Sequence, residues 1–461
     1  MSFTTSSQPS AARQAAARSG DAAPSAWYAL AVLTVVTLLA FVDRGVLVLQ
    51  AEQIRKSMDL SDFQVGLMQG TGVAIFAGLA SYPLGWLADR FDRRLVLAGC
   101  VLLWSAAVLA SGLAQSYPML LLSTALVGAG EAGLVPIVYA MIPELFGESK
   151  RQTANSVYAL ASQATGALAL ALCGWVVGWV EAVRPLLGAE LQLLDGWRLS
   201  FFAVVLPTPL MMLALFTIRL RRRMPKRAEP ATTGGRRPPS AEVRVTPYLR
   251  RHWQALSCFF GGVGMTIFGF NAVGSWLAVI YARVFGQTPQ QLGAVLGTMV
   301  LVATATGFVL SVYGMRFLSR RAGMRANIRA LWISVATAVL CFAMMLLATS
   351  AHQMYAIQGL YIFLMTTAVM VYPTALQSLA PDALRARLVA LMSVLSAGLV
   401  AIAPPIVGLV SDHFFQQRPN GLLIAAVTVA IPALLLGMAL LIRCERLYEA
   451  TVQAAREGSA S

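Results

Sequence analysis

Charge is scarce in this sequence: Asp, Glu, Lys and Arg make up 12% of 461 residues, about half the share of a soluble domain. A water-soluble globular fold is excluded. The five cysteines, Cys100, Cys173, Cys258, Cys341 and Cys444, are scattered without metal-ligand spacing, so neither a disulfide framework nor a metal site is implied. The three histidines, His252, His352 and His413, stand apart near the ends of apolar runs and form no catalytic constellation. There is no glycine-rich nucleotide loop and no Ser-His-Asp arrangement, which leaves an ATP-driven pump or a membrane hydrolase without support. No enzyme, no cofactor and no nucleic-acid-binding module is expected.

What the chain has is apolar length. Residues 58% hydrophobic, with a mean hydropathy of +0.69, fall into runs of about 20, each able to cross the ~30 Å hydrocarbon layer as a helix. Twelve such runs are read near 27–52, 62–88, 94–114, 117–142, 152–180, 197–219, 252–282, 290–314, 326–348, 353–379, 386–411 and 420–443. The expected fold is an all-α polytopic membrane protein of two six-helix bundles, 26–220 and 251–446. Between them, residues 221–250 are basic and rich in Pro and Gly, the composition of a mobile linker. Residues 1–25 are Ala/Ser-rich and read as a disordered start, and 447–461 as a tail. The first run is too long for a signal peptide and has no small-residue cleavage site before Asp43.

Basic residues fix the expected orientation, because Lys and Arg collect on the cytoplasmic side. With the N-terminus inside, 28 of the 35 Lys and Arg fall on that side and six outside: Arg55, Lys56, Arg184, Arg198, Arg283 and Arg418. Both termini are therefore expected in the cytoplasm. The net charge of +15 is then mostly topology, with the linker free to rest on anionic headgroups.

The halves echo each other. "GWLADRFDRR" (Gly85 to Arg94) follows the second run and "GMRFLSRR" (Gly314 to Arg321) the eighth; "PELFGESKRQTA" follows the fourth and "PDALRARLVA" the tenth. Here Gly85, Leu87, Asp89, Arg90, Arg93 and Arg94 match the G-x-L-a-D-r-x-G-r-[RK] loop of the major facilitator superfamily, and the chain resembles that family through its six-plus-six layout. Asp92 stands where the pattern usually has glycine, which puts the local turn in question. The resemblance implies two halves rocking about a midplane site. It also implies a latch in which Asp89 faces the N-terminal end of the eleventh helix and pairs with Arg93, shutting the cytoplasmic side when the outside is open.

Three charges lie at membrane depth: Asp43 and Arg44 in "FVDRG" of the first run, and Glu131 in "ALVGAGEAGLVP" of the fourth. Each costs at least ~2.5–3.5 kcal/mol there unless paired or hydrated. Adjacent helical positions point about 100° apart, so Asp43 and Arg44 must serve different neighbours. Gly128, Gly130 and Gly133 beside Glu131 would admit another backbone closely.

"DR" in the first run, "GEA" in the fourth and "LSDFQVGLMQG" opening the second are similar to the spinster lipid transporters within the superfamily; the likeness is concentrated in the first five helices. It implies a lysophospholipid or sphingosine-phosphate-like substrate, exchanged with protons, and puts Asp43, Arg44 and Glu131 at the polar heart of the site. In that reading Arg44 binds the anionic headgroup and Glu131 exchanges a proton as the headgroup displaces it. Asp43 either positions Arg44 or carries a second proton. The competing reading is a permanently ionised structural cluster.

The seventh helix, with Gly261, Gly262, Gly264, Gly269 and Gly274, and the eleventh, with Pro404 and Pro405, are the expected gates, unless those glycines simply pack tightly. Asn271, Phe268, Phe270, Trp276 and Tyr372 are candidates for the cavity wall. Alternatives to a lipid transporter are a multidrug or organic-anion transporter on the same scaffold, or a non-transporting sensor. The chain is expected as a monomer in a plasma membrane. The preference for Arg over Lys would suit a GC-rich bacterium, for which that is the inner membrane.

Overall fold

The computed structural model describes residues 24–218, 250–379 and 382–460. Almost all of the expected N-terminal stretch and linker lies outside them. Among the described residues, eleven continuous helical stretches are long and apolar enough to cross a membrane. One of these, Pro289–Met345, has 57 residues, far more than one crossing needs. It reverses at Gly323, whose φ of 54° is open to glycine at little cost, giving twelve crossings.

We number them α1 (Pro24–Ser57), α2 (Asp62–Arg90), α3 (Arg93–Leu113), α4 (Tyr117–Leu145), α5 (Glu148–Val183), α6 (Gly196–Thr217), α7 (Trp253–Phe285), α8 (Pro289–Ala322), α9 (Ala326–Met345), α10 (Ala351–Ser378), α11 (Asp382–Val410, extended by Ser411–Phe415) and α12 (Gly421–Ala460). Several are interrupted at small residues or proline. α2 carries a π-helical turn over Met68–Gly72, α4 breaks at Ala132 and Gly133, α6 at Leu206 and Pro207, and α7 at Ser275 and Trp276. Such breaks in a membrane helix need nearby partners for the freed backbone groups.

The two halves pack alike. In the first, α2 lies against α4, α3 against α4 and α6, and α1 against α5; in the second, α8 lies against α10, α9 against α10 and α12, and α7 against α11. Even the loop chemistry repeats: Arg90 stacks on Trp86 at 4.3 Å after α2, and Arg321 on Phe317 at 4.2 Å after α8. The boundary expected at residue 446 does not interrupt α12, which runs on to Ala460 because Tyr448 and Val452 continue its buried face. Tyr448 Oη lies 2.5 Å from Ser378 Oγ, and Arg329 donates to Glu445 on the same stretch.

The halves meet at one end of the bundle, here called the tied end, which carries the turns near residues 60, 115, 190, 287, 348 and 418. There α5 and α8 cross at glycines: a Cβ on Gly174 would lie 2.8 Å from Gly293 Cα. α2 and α11 cross likewise, a Cβ on Gly66 falling 2.6 Å from Pro404 O. Toward the other end, the same four helices have glycines, Gly78, Gly85, Gly166, Gly314 and Gly398, with nothing within 4 Å of where a Cβ would sit. Small residues thus set how closely the halves approach at the tied end, as they do at membrane helix contacts generally.

Candidate functional site

Arg44 and Glu131 meet. Arg44 Nη2 donates to Glu131 Oε2 at 2.6 Å, joining α1 to α4 inside the first half. The carboxylate is 10% exposed and the guanidinium side chain 49%, so the pair presents its cation and hides its anion. The glycines around Glu131 make this possible. Gly128 lies against the Val73 backbone of α2, and Gly130 against Cys100 and Trp104 of α3, leaving no room for a Cβ at either.

Asp43 points elsewhere, as the 100° step demands. It is 4% exposed, faces the Trp104 indole and the charge of Glu131, and its Oδ1 has no hydrogen-bond partner among the described residues. Glu131 Oε1 is likewise unpartnered. A cavity of about 20 Å³ beside Asp43 and Arg44, lined also by Leu47, Val73, Val108 and Thr124, has room for roughly one water. Two buried carboxylates therefore lie near each other, and Arg44 bonds to Glu131.

The residues of the expected aromatic wall are mostly packed against neighbours in this structure. Trp276 is fully buried and donates from Nε1 to Pro404 O at 3.2 Å, so it belongs to the α7–α11 packing. Phe268 is 9% exposed in the same core, and Tyr372 is a partly buried member of its rim. Asn271 accepts at its backbone oxygen from Ser275 Oγ, bracing the break in α7. Of the α7 glycines, Gly262 and Gly269 are filled by Leu441 and Leu434 of α12, and Gly264 by Leu399 of α11; their role is close packing. Phe270, also among the expected residues, is partly buried and packs with Phe342 and Tyr361, ring centroids 5.0–6.4 Å apart.

The basic loop grips its own half. Arg93 donates to Glu144 Oε1 at 2.8 Å and to Ala140 O of α4, and lies 3.8 Å from Asp89. Arg94 reaches Ile218 O at 2.6 Å. Asp89 is 78% exposed and Gly85 open. In place of the usual glycine, Asp92 has φ −60° and ψ 119°, ordinary for any residue, and caps α3 by accepting from Arg94 N at 2.9 Å. The bonds from Arg94 hold the Asp92 carboxyl below the usual range.

A second charged cluster, at the tied end, was not foreseen. Arg283 of α7 bonds both Glu52 of α1 and Asp62 of α2 at 2.8 Å. Its members sit at helix ends, where charge is ordinary; the signal available was two acidic residues on the side with few basic ones.

Similarity to known proteins agrees with this layout. The family model described as Major Facilitator Superfamily matches residues 33–404. An MFS-type efflux pump of Mycolicibacterium smegmatis is 33% identical over 184 residues, 38% of this chain and 43% of that one. The sphingosine-1-phosphate transporter SPNS2 of Danio rerio is 30% identical over 173 residues, 35% and 33% of the two chains. The chain thus spans less than half the length of these curated relatives. Its fold is similar to the crystal structure of a bacterial homolog to the human lysosomal transporter Spinster, inward-facing and unoccupied: TM-score 0.74, 20% identity, covering 95% of this chain and 99% of that one.

Proposed function

The chain belongs to the major facilitator superfamily and is a membrane transporter, and from that premise we propose that it moves an amphipathic anionic lipid by alternating access, coupled to protons. The observation that carries this reading is the asymmetry of the central pair, an arginine half exposed at membrane depth and paired, among the described residues, with a buried carboxylate. An anionic headgroup competes with Glu131 for that guanidinium, whose planar fork suits phosphate.

Charge at this depth is confined to the first half. Through the middle of α7 to α12 there is no Asp, Glu, Lys or Arg, and the partly buried Phe270 and Tyr361 offer apolar surface. A ligand with a charged head and an apolar tail matches both halves at once. When the headgroup takes Arg44, Glu131 is left buried beside Asp43 without its cation, and protonation relieves it. When the headgroup leaves, the pair re-forms and the proton is released. Substrate and proton thus alternate on one arginine. Asp43, which makes no ion pair with Arg44, fits a second proton carrier better than a positioning group.

In this reading the tied end faces outward and the parted end the cytoplasm, since 28 basic residues against six mark that side. The state is inward-open, both termini are cytoplasmic, and the membrane is a plasma membrane, the inner one in a bacterium. The name of the fish relative supports a lipid phosphate; that of the mycobacterial relative supports a second reading, export of soluble organic ions or drugs. Proteoliposome flux of labelled lysophospholipid and sphingosine phosphate, with drugs as competitors, separates them. Lipid flux unaffected by drugs supports the first reading; drug flux without lipid flux replaces it with the second.

A further inference from the structure

The passage from α8 into α9 carries five arginines, and the structure divides them. Arg325 and Arg329 are taken up by α12: Arg325 Nε donates to Glu449 Oε2 at 2.8 Å and Arg329 Nε to Glu445 Oε1 at 2.9 Å. Arg316, Arg320 and Arg321 are exposed and pair with no carboxylate among the described residues. Two of these three are held against aromatic rings instead. Arg321 lies over Phe317 at 4.2 Å, and Arg316 over Tyr313 at 5.8 Å. Those rings are themselves 57% and 64% exposed, and Val309, one turn further into the membrane, is 54% exposed.

Helix geometry sets where this face looks. At 100° per residue, Val309, Tyr313, Arg316, Phe317 and Arg320 share an arc of roughly 100°. The arc is turned roughly 140° from both Gly297, which meets Ala167 and Ala171 of α5, and Gly307, which meets Phe363 and Thr366 of α10. It therefore faces lipid and not the gap between the halves. Along the axis, Arg316 and Arg320 stand roughly 40 and 46 Å from the start of α8, past a ~30 Å hydrocarbon layer and at headgroup level.

We propose that this face of α8 is a binding site for an anionic phospholipid of the surrounding leaflet, kept as a resident of the second half and not carried as cargo. Arg316 and Arg320, one turn apart, take the phosphate between two guanidinium forks, and an acyl chain lies along Tyr313 and Val309. The ring contacts at Tyr313 and Phe317 place Arg316 and Arg321 before the lipid arrives, which lowers the ordering cost of binding. The counterpart loop after α2 makes no such offer. There Arg93 is taken by Glu144 and Arg94 by Asp92, while Arg90, stacked on Trp86, follows Asp89, whose exposed carboxylate repels a phosphate. The site belongs to one half only, although the fold repeats, and it is independent of the transport substrate.

The test is native mass spectrometry of the full chain in detergent, titrated with dioleoyl phosphatidylglycerol or dioleoyl phosphatidylcholine. Wild type should bind its first phosphatidylglycerol about tenfold or more tighter than its first phosphatidylcholine, and Arg316→Gln/Arg320→Gln should lose that preference. Arg443→Gln/Arg446→Gln, which removes the same charge from exposed positions of α12 at the same end, should keep it within about twofold. Arg44→Gln should keep it too, because the transport site lies elsewhere. No preference in wild type, or none lost in Arg316→Gln/Arg320→Gln, would overturn the proposal. Equal weakening by both double variants would overturn it by reducing the effect to net charge, and loss in Arg44→Gln by placing the lipid in the transport cavity. If Arg316→Gln/Arg320→Gln does not fold, Arg320→Gln alone decides on the same readout: a weakened first phosphatidylglycerol supports the site and an unchanged one ends it.

Discussion

The Arg44–Glu131 pair and the Arg283 cluster both use α1, eight residues and so about 12 Å apart along its axis, yet they are built oppositely. The central pair lies within one half, makes one bond and leaves its arginine half exposed. The Arg283 cluster crosses between halves, spends its arginine on two carboxylates and buries both. An ion pair that is open on one side can trade its partner for a ligand. One whose arginine is already shared by two buried carboxylates has no free side to offer a ligand of the transport site. The proposed ligand exchange belongs to the first for that reason, while the second joins the two halves.

Substitutions that act on one cluster should spare the other, and the largest effect is expected at the tie itself. A Cβ at Gly293 would sit 2.5 Å from Gly174 Cα and 2.6 Å from Leu170 O, backbone atoms that cannot step aside. Gly293→Val should abolish closure of the tied end, seen as a long distance between spin labels at the exposed Glu190 and Gln417, one on each half, whereas Gly85→Ala, with nothing within 4 Å, should leave it unchanged. Next is the centre. Arg44→Gln removes a charge-assisted bond to the headgroup, and half-saturation for lipid should weaken about 10- to 100-fold with the label distance unmoved. Trp276→Phe keeps an aromatic ring but loses the bond to Pro404 O inside the second half, worth ~1 kcal/mol, so thermal stability in detergent should fall slightly while the tied-end distance stays unmoved.

The smallest effect belongs to the cytoplasmic loop. Asp92→Gly restores the common family residue but loses the cap on α3, a cost of a few tenths of a kcal/mol at neutral pH. Because Arg94 holds the Asp92 carboxyl low, its contribution is complete above the ordinary Asp range near 4 and fades as pH falls through the depressed folded value. Thermal unfolding in detergent should therefore separate wild type from Asp92→Gly at pH 7 and bring them together in strong acid.

These contrasts also explain what could be read in the chain beforehand. Twelve crossings and the charges at 43, 44 and 131 were legible because apolar length and a charge within it stand out in one dimension. The direction of each side chain followed from helix geometry, and the Gly128 and Gly130 contacts from residue size. The burial of Trp276 and Phe268 was not legible, because an aromatic residue on a membrane helix has the same pattern whether it lines a cavity or fills a core. Arg283 and Asp62, 221 positions apart, are each unremarkable at a helix end, and their pairing exists only through the way the halves meet. Asp92 shows the converse: a departure from a family pattern proved locally sound, since its backbone needs no glycine.

The most direct test of the central pair is lipid flux into proteoliposomes, with and without an imposed pH gradient, for wild type and Glu131→Gln. Gradient-stimulated flux in wild type that becomes indifferent to the gradient, or is lost, in Glu131→Gln is the expected result. Equal stimulation in both proteins would contradict it, removing Glu131 from proton exchange and leaving Arg44–Glu131 as a structural tie between α1 and α4.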